Sequence, residues 1–314
     1  MPGPASTGGA PVAPLRAAWA LVRQVANSWL DDYAMSMGAA LSYYTLFSMA
    51  PLLLIVISVA GFFFGEDAAR GQIVAQLRSV MGDAGANAVQ DLLASVRQPG
   101  QGVLATLIGV MLLLIGATTV FGELQDALDR IWRVPIRGHH TSGWLALVRT
   151  RVLSFGMVLA VGFLLMVSLV ASTALEAIGQ HWNLMLGGWY PLAVATNAVI
   201  AFALIAVMFA LIYKIMPRAR VLWRDVWIGA VFTALLFTLG KSLISLYIGR
   251  SGISSGFGAA GSLVVVLVWV YYSAQIFLIG AEFTWVYAHH FGSRAGVAPP
   301  ARPTPQGSAG GLPV

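Results

Sequence analysis

Long apolar runs separated by short polar segments dominate the chain, and the first of them, Ala39 to Phe64, is polar in its first half. At a rise of about 1.5 Å per residue, roughly 20 apolar residues cross the hydrocarbon core, so this run predicts a membrane helix. Its first half carries Ser42, Tyr43, Tyr44, Thr45, Ser48 and Pro51. Lipid satisfies neither the hydroxyls nor the carbonyl that a proline releases one turn back, so that face is expected to look into protein or a wet cavity. Five further runs, about 102–121, 152–175, 191–213, 226–248 and 262–288, are each long enough to span. The predicted fold is all-α, a polytopic membrane bundle of about six transmembrane helices forming one domain over 15–294.

The polar segments carry a second layer of pattern. In 66–98, Ile73, Leu77, Val80 and Met81 recur at helical spacing, and Val89, Leu92, Leu93 and Val96 do so again after Gly82, Asp83 and Gly85. This predicts two short helices packed over the bundle as an amphipathic cap between the first two spans, either a plain cover or a lid and docking surface. From Leu15 to Trp29, the residues Trp19, Val22, Ala26 and Trp29 fall on one helical side beside Arg16 and Arg23, which predicts an interfacial helix leading into the first span. The second run continues through Leu124, Leu128, Ile131 and Trp132 as a helix entering the interfacial layer. Residues 1–14 and 295–314, rich in Gly, Pro and Ala, are expected to be disordered tails. No convincing internal repeat is read along the chain.

Composition agrees with the membrane class: 58% of residues are hydrophobic and only 10% charged, against about 25% charged in ordinary soluble domains. Six spans place thirteen of the eighteen Lys and Arg residues on one side and four on the other, with Lys241 inside the fifth run. That bias puts both termini in the cytoplasm. The first thirty residues hold no compact apolar core before a small-residue cleavage site, so the first span is expected to insert the chain itself. The net charge of +6 is mostly this topological charge and suits anionic lipid better than nucleic acid. There is no cysteine, which excludes disulfides, thiolate metal sites and thiol nucleophiles.

Ionisable residues within apolar runs are costly and stand out as candidates. Lys241 lies about seven residues from the outer end of the fifth run, where it snorkels outward, makes a structural contact to backbone carbonyls, or joins a path for an anionic substrate. Glu282 lies in the inner half of the sixth run, roughly 15 Å from Lys241 along the membrane normal, so a direct pair is not expected. Arg149, Arg151, Arg224 or the Tyr43 and Tyr44 hydroxyls are its candidate partners. Tyr271, Tyr272, Ser273 and Gln275, with Thr118 and Thr119, could line an inward-facing vestibule with Ser42 to Pro51, or could join helices by hydrogen bonds. The connection Gly249 to Ser262 holds Gly256, Gly258 and Gly261 beside Arg250, and is either an anion-cradling nest or a hairpin without ligand. The five histidines fall in no metal-binding motif, and Walker, GxSxG and nucleic-acid modules are missing. No enzyme activity, metal or cofactor is expected.

Two stretches, Gly38 to Leu54 (GAALSYYTLFSMAPLLL) and Phe257 to Ala288 (FGAAGSLVVVLVWVYYSAQIFLIGAEFTWVYA), resemble the YihY/BrkB family of bacterial inner-membrane proteins, once labelled ribonuclease BN. The stretch ATTVFGELQDALDRIW is similar to a third family pattern, with Asp129 where Asn-containing variants are familiar. The resemblance covers roughly residues 20–290 and touches Tyr43, Tyr44, Pro51, Gly258, Gly261, Ser262, Tyr272, Gly280 and Glu282. It implies about six spans, no agreed biochemical activity, and links to serum resistance and transport of lipid or other envelope components. The functional expectation is therefore handling of a lipid or envelope-related solute through a polar cavity between helices. A non-transporting scaffold for envelope proteins is the alternative, and a ribonuclease a remote one. Expected partners are membrane lipids, with a second copy of the chain or envelope proteins as further candidates.

Overall fold

The computed structural model describes residues 14–96, 119–134, 190–251, 257 and 260–297. Every regular element among them is helical. In chain order they are α1 (Pro14–Asp31), α2 (Ala34–Phe64), α3 (Glu66–Val96), α4 (119–131), α5 (Tyr190–Ile215), α6 (Trp223–Arg250) and α7 (Gly261–His290). The predicted spans 39–64, 191–213, 226–248 and 262–288 thus fall inside α2, α5, α6 and α7. The predicted span 152–175, most of 102–121, and nearly all of both tails lie outside the described residues.

Three described helices are long and apolar enough to cross a membrane: Ala195–Ile215, Trp223–Arg250 and Gly261–His290. On α6 the surface pattern adds to this. Trp223, Trp227, Val231, Leu235, Leu239, Leu243 and Tyr247 are all exposed at a spacing of four. That stripe is about 36 Å long at helical rise, enough to cover a hydrocarbon core of about 30 Å, with Trp at one end and Tyr at the other as in interfacial aromatic belts.

The long α7 is the centre of the fold, packing against α6, α2, α3 and α1. From Ile276 onward, buried residues occupy every side of this helix: Phe277, Leu278, Gly280, Ala281, Glu282, Thr284, Trp285 and Val286. An amphipathic helix buries one stripe, whereas a helix apolar all round belongs in the interior. Beneath it, α4 inserts Leu128 and Ile131, and with Trp132 just after the helix they pack with Phe209, Tyr213 and Trp285 in one core.

The cap is helical as its periodicity predicts, and its break falls at Gly82, with φ 74°. A side chain there would be strained by that φ, and a Cβ would also lie 2.9 Å from Ser245 Oγ. Ser245 of α6 donates to Met81 O at 3.2 Å, fastening the kink to the bundle. On either side of it, Met81, Val89 and Leu93 pack with Ile244, Ile248, Val265 and Val266. In α1, Trp19 and Val22 face outward while Val25 and Ser28 are buried. Tyr33, at φ 57°, turns the chain into α2.

Candidate functional site

The crossing of α6 and α7 is built from one hexapeptide used twice: IGAVFT at 228–233 and IGAEFT at 279–284. The two copies run antiparallel, so each glycine faces the other helix's threonine. A Cβ on Gly229 would lie 1.8 Å from Thr284 Oγ1, and one on Gly280 would lie 1.9 Å from Thr233 Oγ1. Each threonine donates to the carbonyl four residues back, Thr233 to Gly229 O and Thr284 to Gly280 O, both at 2.7 Å. Self-bonding satisfies the hydroxyls at a crossing where lipid or apolar side chains would not. Phe232 and Phe283 stack with centroids 3.9 Å apart beside it. Tyr213 of α5 closes the third side: its hydroxyl donates to Phe277 O at 2.8 Å and lies 3.0 Å from Thr233 Oγ1. The sequence signal for this crossing is only six residues long, too short to stand out against so apolar a chain.

Within the repeat the two copies differ in one place, Val231 against Glu282. Val231 is exposed, whereas Glu282 is fully buried with both carboxylate oxygens shielded. Residue 282 lies two positions from Gly280 and from Thr284, about 200° around the helix, so it points away from α6. Seven residues back, Gln275 sits on the same face, and Tyr271 lies one turn before it. Gln275 Nε2 donates to Ala34 O at 3.3 Å, and a Cβ on Gly38 would meet that nitrogen at 2.0 Å. Gln275 Oε1 and Ser273 Oγ are buried with no hydrogen-bond partner among the described residues. Tyr271, Gln275 and Glu282 therefore form a polar stripe of α7 whose upper part faces the first turns of α2.

The other candidate residues are placed as follows. Ser42 is buried and donates to Ala39 O at 2.9 Å. Tyr43 is 55% exposed and packs edge-to-face with Tyr44 and Phe47, turned away from the packed interior. Tyr44 and Thr45 are half-buried, and α2 passes through Pro51 as one continuous helix. Lys241 is half-buried on α6 next to Gly240, where a Cβ would lie 3.0 Å from the Tyr272 hydroxyl. Because Gly229 meets Thr284 and Thr233 meets Gly280, residue 231 is level with Glu282, and Lys241 is ten residues, roughly 15 Å, farther along. Arg250 is exposed, Gly261 buried and Ser262 half-buried at the start of α7, while Gly256 and Gly258 lie outside the described residues. The structure thus brings Gln275 to α2 and Tyr272 to the α6 backbone beside Lys241, and holds Glu282 and Lys241 apart.

The end of the bundle nearest Glu282 is a collar of cations over aromatic rings. The Arg133 guanidinium lies 4.1 Å from the Trp285 ring centroid, that of Arg294 5.2 Å from Trp132, and that of Arg130 5.3 Å from Tyr33. The loop between α5 and α6 is tied from three sides. Gln125 donates to Met216 O, Lys214 to Val221 O, and Arg294 to Arg220 O. Buried Asp225 accepts from the Ser293 N–H and hydroxyl, joining the start of α6 to the exit of α7. Asp129 accepts from the Arg218 N–H at 2.7 Å, and its second oxygen lies 3.4 Å from the Arg218 guanidinium.

Burial holds the Asp129 carboxyl above its ordinary value, against the lowering effects of the Arg218 N–H and guanidinium. A folded-state pKa above the unfolded one means that ionisation is disfavoured in the fold; the penalty is present at neutral pH and disappears as pH falls through the folded value. Asp129→Asn keeps the acceptor and removes the charge. It should therefore melt at or above the wild type at neutral pH, with the gap narrowing toward about pH 4. A variant that melts below wild type at neutral pH would contradict this account.

A family model described as "Virulence factor BrkB" matches residues 25–305. A UPF0761 membrane protein of Pseudomonas aeruginosa strain LESB58 is 30% identical over 269 residues, covering 82% of this chain and 60% of the relative. One from Alkalilimnicola ehrlichii is 28% identical, covering 85% and 58%, and one from Pseudoalteromonas translucida is 26% identical, covering 83% of both. The chain thus spans about three fifths of the length of the Pseudomonas aeruginosa relative. No solved structure matches it. With apolar helices able to span a bilayer and a match over most of its length, the chain belongs to the BrkB family of membrane proteins.

Proposed function

We propose that this protein handles a lipid or another envelope-related solute in the bacterial inner membrane, without enzymatic chemistry, through the polar stripe of α7 and the helices around it. The observation that carries this reading is the fully buried carboxyl group of Glu282, eight residues before the end of a membrane-length apolar helix. An acid is expensive at such a position, and intramembrane ionisable groups characteristically mark substrate or ion paths. Gln275, whose Oε1 is buried and unpartnered among the described residues, extends the same polar lining. The cation collar supports a cytoplasmic placement of that end, and with it of both termini in a six-span topology. Seven of the described Lys and Arg residues lie there (Arg130, Arg133, Lys214, Arg218, Arg220, Arg224 and Arg294), against Arg70, Arg78 and Arg250 toward the other end.

The test is reconstitution into liposomes with movement of a fluorescent phospholipid between leaflets as the readout. Wild-type protein is expected to accelerate exchange, and Glu282→Gln and Lys241→Ala to slow it. Full rates in both variants would remove these residues from the path, and a wild type no faster than empty liposomes would remove phospholipid as the solute.

A further inference from the structure

Arg70 stands out at the opposite end of the molecule from the cation collar. The two arms of α3 flank a cavity of about 230 Å³ lined by Arg70, Val74, Gln90, Asp91, Leu93 and Ala94. Within it, Arg70 Nε and Nη2 are buried and have no hydrogen-bond partner among the described residues. The guanidinium thus brings two adjacent donors into a site where no described residue accepts a hydrogen bond from them. Buried donors without acceptors bear their full desolvation penalty, and the neighbouring cap cation shows the ordinary alternative: Arg78 pairs with Asp83 at 2.8 Å on the surface.

The Nε and Nη2 edge of an arginine is a fork matched to two oxygens of a phosphate or carboxylate. A simple anion, however, would meet Asp91 in the same cleft. A ligand with both signs of charge answers both residues, and the apolar walls of Val74, Leu93 and Ala94 suit a short methylene link between the charges. The volume lies below the roughly 300–1,000 Å³ of sites for drug-sized molecules, so it takes a headgroup rather than acyl chains.

We infer that the cleft between the arms of α3 binds a zwitterionic phosphoethanolamine-type group, its phosphate on Arg70 Nε and Nη2 and its ammonium toward Asp91. The group could reach the cleft as the soluble compound or as the headgroup of a phospholipid. This site is separate from the α7 stripe, and its test does not depend on transport.

The experiment is calorimetric titration of the purified full chain in detergent with phosphoethanolamine, glycerol phosphate, ethanolamine and inorganic phosphate. Saturable binding of phosphoethanolamine is expected, with the three controls weaker. Arg70→Gln and Asp91→Asn should each weaken it by about tenfold or more, and Arg70→Lys, which keeps the charge but loses the fork, by less than Arg70→Gln. Ala94→Trp, which fills the cleft without touching either charge, should also abolish binding, so the result does not rest on charge variants alone; thermal unfolding of each unliganded variant checks its fold. Native mass spectrometry from nanodiscs distinguishes the sources. Retention of phosphatidylethanolamine over phosphatidylglycerol, lost in Arg70→Gln, identifies the lipid headgroup, whereas binding of the soluble compound without that preference identifies the free molecule. The inference is overturned if the wild type shows no saturable binding of phosphoethanolamine, if Arg70→Gln binds it as well, or if inorganic phosphate binds equally and Asp91→Asn strengthens it.

Discussion

Gly229→Ala is expected to be among the most destabilising single substitutions in the described part of the chain. The new methyl would lie 1.8 Å from Thr284 Oγ1 and 2.8 and 2.9 Å from its Cβ and Cγ2, where carbon atoms pack best at about 3.5–4.0 Å. Thr284 cannot simply rotate away, because its hydroxyl is bonded to Gly280 O and the residue is fully buried. The helices must separate, and the stacked Phe232 and Phe283 with them. Overpacking of this kind costs about 3 kcal/mol or somewhat more. Denaturant or thermal unfolding in detergent, followed by tryptophan fluorescence, measures it. The double variant Gly229→Ala with Thr284→Gly exchanges the partners across the crossing and should recover about half of the loss, the coupling expected of residues in direct contact. A single variant within about 0.5 kcal/mol of wild type would show that α6 and α7 do not cross at this register.

Glu282→Gln should separate function from stability. The neutral isostere keeps the shape and one acceptor of this fully buried side chain, so the variant should fold, with an unfolding midpoint close to that of the wild type. Transport should nevertheless fall by about tenfold or more if the carboxylate marks the solute path. Glu282→Leu tests the same point by a different loss, keeping approximate volume without any polar atom. If both variants unfold earlier than wild type and transport solute at full rate, Glu282 is a structural group that holds α7 to its surroundings. The opposite pairing, normal stability with lost transport, is the one the proposed function requires. It also excludes the scaffold reading, in which removal of the cap, not of an interior acid, abolishes function.

Much of the helical outline is legible in the chain. The run 262–288 predicts α7 to within two residues at each end, and the Gly82, Asp83 and Gly85 cluster places the break of the cap where Gly82 adopts φ 74°. These are local properties: apolar length, turn chemistry and helical period each depend on neighbours in sequence. The candidate site was less legible. Tyr43 and Tyr44 share the polar half of α2, yet Tyr43 faces outward, because adjacent residues on a helix point about 100° apart and one partner helix covers only part of the circumference. Val231 and Glu282 occupy the same place in two nearly identical hexapeptides and have opposite fates. Nothing within six residues distinguishes a valine facing outward from an acid in the core.

By itself, then, the sequence determined that the chain is helical, that several of its helices are of membrane length, that the cap breaks at the cluster Gly82, Asp83 and Gly85, and that Glu282 and Lys241 are the ionisable residues to weigh inside apolar runs. Only the tertiary structure decided which faces are covered. It put α7 at the centre, matched Gly229 to Thr284 and Thr233 to Gly280, and brought the first turns of α2 against the Gln275 side of α7. It also left two donors of Arg70 buried between the arms of α3. The physical reason is one of range: hydrophobic period is set by residues three and four apart, whereas burial is set by whichever helix arrives from far along the chain.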